Sequence, residues 1–128
     1  MSNLRQFEGQ KHLNLETFKK NGESVKTPVW YVISDGLIYV ITRELTGKVK
    51  RLKNNPKVNV VPCAFRGVPK GEWVKGTTNF LDGDEIKKIL KLRKKKYGIM
   101  SSLAGMLSSS KGDYVGFSIK ISDSKNSD

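Results

Sequence analysis

Thr42-Arg43-Glu44-Leu45-Thr46-Gly47-Lys48-Val49-Lys50-Arg51-Leu52 joins the end of one element to the start of the next, and its reading decides the fold. An apolar run ends at Thr42-Arg43 and a tight Thr-Gly turn follows. Val49 and Leu52 then stand three apart among Lys48, Lys50, Arg51 and Lys53. The pattern predicts a strand giving way to a short amphipathic helix over 46–55, with Thr46 at its N-cap. Pro56 stops that helix because it can neither donate to it nor fit inside it. Backbone N–H groups at a helix start have no intrahelical acceptor and attract anions. A hydroxyl at Thr46 and an ammonium at Lys48 would complete an anion cradle, and Gly47 would let a ligand approach the backbone. The simpler alternative is a solvated basic helix face.

Upstream, residues 13–18 alternate apolar and polar, which is strand periodicity, and Asn21-Gly22 follows as a hairpin signal. A β-branched and aromatic run over 25–34 predicts a second strand. Asp35-Gly36 is another hairpin dipeptide, and 37–42 is a third strand, nearly all apolar. Downstream, 57–66 is a fourth strand in which Pro62 implies an edge or a bulge, and 72–81 is a fifth. Residues 82–97 form the clearest helix, capped by Asp82 or Asp84. Its inner stripe is Ile86, Ile89, Leu90 and Leu92 or Arg93, and its cationic last turn suits the helix dipole. Residues 101–112 are rich in Ser and Gly and read as a mobile loop; 113–122 is a sixth strand. The reading is therefore mainly β: one antiparallel six-stranded barrel over 1–122, with two or three helices at its openings, and a polar disordered tail over 123–128.

Composition narrows the function. The chain has 128 residues, enough for one core and too few for two substantial domains. No apolar run is long enough to span a membrane, and the N-terminus lacks a secretory apolar region. One cysteine, Cys63, excludes an internal disulfide and a Cys-rich zinc site, and a reducing cytoplasm is the simplest setting. The single histidine, His12, reads as a solvated side chain. It leaves little material for a metal site or a Ser-His-Asp triad, so no metal is expected. Cys63, between Pro62 and Ala64, reads as a small buried hydrophobe. No phosphate-loop or dinucleotide glycine motif is present. Net charge is +12, and it is concentrated: residues 41–70 carry eight basic groups and one acidic group. That excess predicts an anionic partner without choosing among nucleic acid, an acidic membrane surface and a phosphorylated small molecule.

Several runs together resemble one family. They are Thr27-Pro28-Val29-Trp30, Leu37-Ile38-Tyr39-Val40, Thr46 to Leu52, Asn54-Asn55-Pro56-Lys57-Val58 and Val61-Pro62-Cys63. The family is the pyridoxamine 5'-phosphate oxidase-related split β-barrel superfamily, with its FMN-binding-protein-like fold. Lys95-Lys96-Tyr97-Gly98-Ile99-Met100 after the long helix is similar to its small deazaflavin-dependent (coenzyme F420) branch. The chain ends without the C-terminal substrate-binding segment of true pyridoxamine phosphate oxidases, which argues against vitamin B6 oxidation.

The resemblance implies a cytoplasmic homodimer with a deazaflavin, or alternatively FMN, in a groove at the subunit interface. It implies an oxidoreductase that transfers hydride to a small conjugated acceptor, with no catalytic side chain identified. Carried over by position, Lys48 matches the family's phosphate-binding lysine, Thr46 and Gly47 form the turn beside it, and Arg51 faces the same anion one turn later. Thr27, Pro28 and Val29 would border the ring system, and Thr42 and Arg43 would lie near the cofactor tail. Thr27 stands roughly where the larger family often has arginine, which weakens the case for an ordinary FMN phosphate clamp. Trp30 and Trp73 are aromatic candidates for the ring or substrate pocket, or for core and dimer packing. A basic nucleic-acid-binding barrel is the rival from another class. The strands lack its interleaved basic and aromatic pattern, so nucleic acid is not the expected partner.

Overall fold

The structure, a computed structural model, describes residues 2–98 and 114–122. The expected loop over 101–112 and the tail over 123–128 lie outside the described residues. A short 3-10 helix over Ser2–Phe7 precedes β1 (His12–Phe18), β2 (Ser24–Val29), β3 (Val32–Ser34) and β4 (Leu37–Arg43). Helix α1 (Gly47–Asn54), β5 (Lys57–Cys63), β6 (Val74–Phe80), α2 (Gly83–Tyr97) and β7 (Tyr114–Ile121) complete the order. No helix among the described residues is long and apolar enough to cross a membrane.

All seven strands form one antiparallel sheet in the order β2-β1-β5-β6-β7-β4-β3. β2 and β3 are its two edges, yet only Trp30 and Tyr31 separate them in the chain. Three Cα–Cα steps reach at most about 11 Å. The sheet is therefore rolled until its edges meet, as a half-barrel of the split-barrel kind.

The expected six strands are seven because the run over 25–34 is cut at this crossing. β2 pairs with β1 (Val29 opposite Leu13), whereas β3 pairs with β4 (Val32 opposite Tyr39). Between them the Tyr31 peptide finds its partners on α2: its N–H donates to the Tyr97 hydroxyl at 3.1 Å, and its carbonyl accepts from Lys96 Nζ at 2.9 Å. A helix supplies the hydrogen bonds that a neighbouring strand would otherwise provide.

The local chemistry otherwise follows the sequence. Asp35 and Gly36 both take positive φ, 53° and 80°, as a two-residue hairpin turn between β3 and β4 requires. α2 opens on a capping box: Glu85 N–H donates to Asp82 Oδ1 at 2.8 Å, and Asp82 N–H donates to Glu85 Oε1 at 3.1 Å. Pro62 is tolerated because β6 pairs only as far as Val60, leaving the last part of β5 with β1 on one side and, on the other, the loop at Pro69.

Two apolar clusters hold the molecule together. Inside the barrel, Leu13, Leu15, Tyr31, Ile38, Val40, Val58, Val60, Phe117 and Ile119 are joined by Phe7 and by Leu52 of α1. α1 thus plugs the barrel, as expected for a helix at an opening. α2 does not: its Ile86, Ile89 and Leu90 pack with Val32, Ile41 and Tyr114, against the other face of β3, β4 and β7. Tyr39 and Ile41 point towards α2, while Ile38 and Val40 point into the barrel.

Candidate functional site

The turn from β4 into α1 builds the first half of the site. Thr46 holds the N-cap position with extended backbone but makes no side-chain cap. Its hydroxyl donates to the Arg43 carbonyl at 2.9 Å and its N–H reaches the same oxygen at 3.3 Å. Thr46 therefore locks the turn, and its side chain does not cap the first N–H groups of α1. The first turn of α1 also carries no acidic residue. Lys48 Nζ donates to Thr42 Oγ1 at 3.4 Å. Arg51 Nε donates to Thr17 Oγ1 on β1 at 2.6 Å. Its guanidinium lies over the helix start: a Cβ placed on Gly47 would stand 2.7 Å from Arg51 Nη1. From the first two turns of α1, Lys48 reaches Thr42 on β4 and Arg51 reaches Thr17 on β1, and two cations beside a helix start that its N-cap side chain leaves uncapped suit a phosphate.

Strand alternation separates two neighbours that the sequence reading grouped. Thr42 follows Val40 on the inner face and meets Lys48. Arg43 follows Ile41 on the α2 side, where its guanidinium stacks 3.8 Å above the Tyr114 ring. β1 connects the cradle to Thr27: Thr17 holds Arg51, and Leu15, two residues back on the same face, is opposite Thr27. Pro28 and Val29 continue into a second feature.

That feature is a cleft of about 440 Å³ lined by His12, Pro28, Val29, Trp30, Ile41, Phe65 and Arg93. Trp30 stacks on Tyr97 of α2 with ring centres 4.3 Å apart and planes 3° from parallel. The Arg93 guanidinium lies 5.2 Å from the centre of the Trp30 ring, and its Nε is buried without a hydrogen-bond partner. Burial lowers the Arg93 pKa, although the Tyr114 and Tyr97 hydroxyls counteract it. A buried cationic donor at the wall of an open cleft is suited to an anionic ligand group.

His12 is not the solvated residue the sequence suggested. Its Nε2 accepts from Trp30 Nε1 at 3.2 Å, and its ring meets Phe65 edge-on at 5.8 Å. Burial, then the charges of Lys11 and Lys96, lower its pKa and favour the neutral ring that this acceptor role requires. Burial lowers Lys96 to about 8, where it also lies 3.8 Å from the Tyr31 ring. Tyr97 is pushed up to about 12, chiefly by burial. Trp73 stays outside the cleft, with Lys26 Nζ 5.4 Å from its ring centre. Cys63 is buried, which raises its thiol pKa. Among the described residues no three His, Cys, Asp or Glu side chains gather into a metal site.

Sequence reasoning missed His12 and Arg93 as walls of one cleft, and Tyr97 as the ring stacked on its Trp30. The available signal was Arg93 itself, an arginine standing four residues after Ile89 and four before Tyr97 on the apolar stripe of α2.

A rolled antiparallel sheet plugged by a basic helix defines a split-barrel protein. The pattern of the pyridoxamine 5'-phosphate oxidase family matches residues 2–127, and the chain belongs to that family. Solved structures share the fold. HutZ, the haem storage protein of Vibrio cholerae, is 14% identical with a TM-score of 0.72, over 94% of this chain and 89% of that one. A FAD-binding protein of Mesorhizobium loti is 20% identical with a TM-score of 0.65, over 95% and 87%. General stress protein 26 of Bacillus anthracis is 19% identical with a TM-score of 0.66, over 94% and 90%. No curated protein matches the sequence.

Proposed function

We propose that the protein is an oxidoreductase that binds a deazaflavin (coenzyme F420) and uses it for hydride transfer to a small conjugated acceptor. The observation that carries this reading is the cradle: Lys48 and Arg51 flank the uncapped start of α1, on a segment with eight basic groups and one acidic group. Lys48, Gly47 and the N–H groups beside it would hold the phosphodiester of the coenzyme. The surrounding cations would favour its polyglutamate tail. When bound, the coenzyme supplies a hydride at its ring. The chain's own part is to bind the tail, to offer Thr27, Pro28 and Val29 beside the ring, and to anchor an anionic acceptor at Arg93. The site is proposed to lie at a homodimer interface, which the exposed Leu45, Phe65, Val68 and Phe80 would help to bury.

FMN is the second reading, supported by the FAD-binding protein of similar fold. Haem is less suited to this chain, because Nε2 of its one histidine is engaged by the Trp30 indole. The test is a fluorescence titration of apoprotein with deazaflavin and with FMN at fixed ionic strength. Micromolar deazaflavin binding with much weaker FMN binding is expected. The reverse order moves the protein to the flavin branch, and binding of neither removes the cradle.

A further inference from the structure

The outer face of the sheet carries a second basic feature, on the opposite side of β1 from Thr17 and the cradle. Lys57 on β5 stands opposite Thr77 on β6, and Thr77 stands opposite Lys120 on β7. One row away, Lys75 stands opposite Asn59. Lys57 and Lys120 flank Thr77 on the adjacent strands, about 4.8 Å away on either side, and Lys75 stands two residues before it on β6, so the three lysines are spaced for a phosphate or diphosphate. All three are exposed, and none forms an ion pair among the described residues. The neighbouring carboxylate, Glu16, is turned to Asn59, whose Nδ2 donates to its Oε1 at 2.9 Å.

Like charges so close repel one another, and no ion pair among the described residues neutralises them. The face is also concave: a cleft of about 320 Å³ is lined by Phe18, Lys57, Asn59, Lys75, Thr77 and Ser122. It falls in the size range of small-ligand sites. Phe18 gives this cleft an aromatic wall beside Lys57.

The geometry points to a second binding site, for a nucleoside phosphate, with the phosphates among Lys57, Lys75 and Lys120 and the base against Phe18. Lysine ammoniums bind phosphate oxygens by charge-assisted hydrogen bonds, and an aromatic face stacks any base. The chemistry is shared by a free nucleotide and by a terminal nucleotide of a single strand. It is independent of the coenzyme proposed for the cradle.

The experiment is a binding titration of the full chain with ADP, with pyrophosphate and with a single-stranded decanucleotide, each at two salt concentrations. ADP should bind, and Lys57→Ala and Lys75→Ala should each weaken it by roughly tenfold. Phe18→Leu should weaken ADP but leave pyrophosphate unchanged. Lys48→Ala should leave ADP binding unchanged. Saturation by ADP assigns the free nucleotide as the source; binding of the decanucleotide alone, lost in the same lysine variants, assigns the strand. If no probe binds, or if binding is lost in Lys48→Ala and kept in the Lys57→Ala/Lys75→Ala double variant, the proposal is overturned. The lysines are exposed, and an unchanged circular dichroism spectrum confirms that the variants are folded.

Discussion

Arg51 Nε donates to Thr17 Oγ1 at 2.6 Å, across 34 residues, and Thr17 is almost wholly buried. This one bond ties the basic helix to the first strand and fixes the guanidinium over Gly47. Thr17→Val should free that guanidinium while keeping the side-chain shape. Coenzyme affinity is expected to fall with little change in melting temperature. A large loss of stability with intact affinity would show that the bond serves the fold rather than the cradle.

Lys48→Ala should weaken coenzyme binding by about 1.5–3 kcal/mol, the usual range for a charged hydrogen bond. Gly47→Ala should act by another route. Its added Cβ meets the movable end of Arg51, so affinity should drop while the fold persists. Fluorescence titration of both variants checks the pair.

Tyr97→Phe should destabilise the protein by roughly 1–3 kcal/mol. The hydroxyl donates to the Lys11 carbonyl at 2.6 Å and accepts from Tyr31 N–H at 3.1 Å. Its loss leaves the Tyr31 N–H without its partner while the stack on Trp30 remains. Chemical denaturation measures the effect.

Acid should loosen the cleft through His12. Its pKa is lower folded than unfolded, so its contribution to stability is fully present above the ordinary histidine pKa of 6.5. The contribution is lost as pH falls through the lower folded value. Protonation also ends acceptance from Trp30 Nε1. Tryptophan fluorescence should change over that acid range, and His12→Phe should abolish the transition. Lys96 adds a separate alkaline effect of the same sign: with its folded pKa near 8 against an ordinary 10.5, stability should rise with pH between those values.

Gly76→Ala should cost about 1–3 kcal/mol by overpacking. The new Cβ would sit 2.7 Å from Ile119 Cγ2 and 3.2 Å from the Lys120 carbonyl. Ile119 is fully buried in the barrel and cannot retreat. A lowered melting temperature, partly rescued by Ile119→Val, checks it.

Much of the fold was legible because the signals are local. Asp35-Gly36, a helix cap at Asp82 or Asp84 and the apolar stripe of α2 each declare themselves within a few residues. The break at Trp30-Tyr31 was not legible. Both flanking stretches read as one strand, and the partners that divide it, Lys96 and Tyr97, are 65 and 66 residues away. The basic turn at 46–51 was visible for the same local reason. The role of Thr46 was not, because whether its hydroxyl caps the helix or grips Arg43 depends on a rotamer. The His12–Trp30–Arg93 cleft was hidden because it draws on three separated elements. It also needs a lone histidine to act as an acceptor rather than as a solvated base.

The crossing at Trp30-Tyr31 makes the closure of the barrel and the shape of the cleft a single equilibrium. The two residues that bring the sheet edges together face opposite ways, Tyr31 into the core and Trp30 to the cleft wall. Any opening of the seam must move that wall, and a ligand that fits the cleft best with the wall in place favours a closed seam. Occupancy of the cleft is therefore written into the Tyr31 amide, whose exchange with solvent should slow when the cleft is filled.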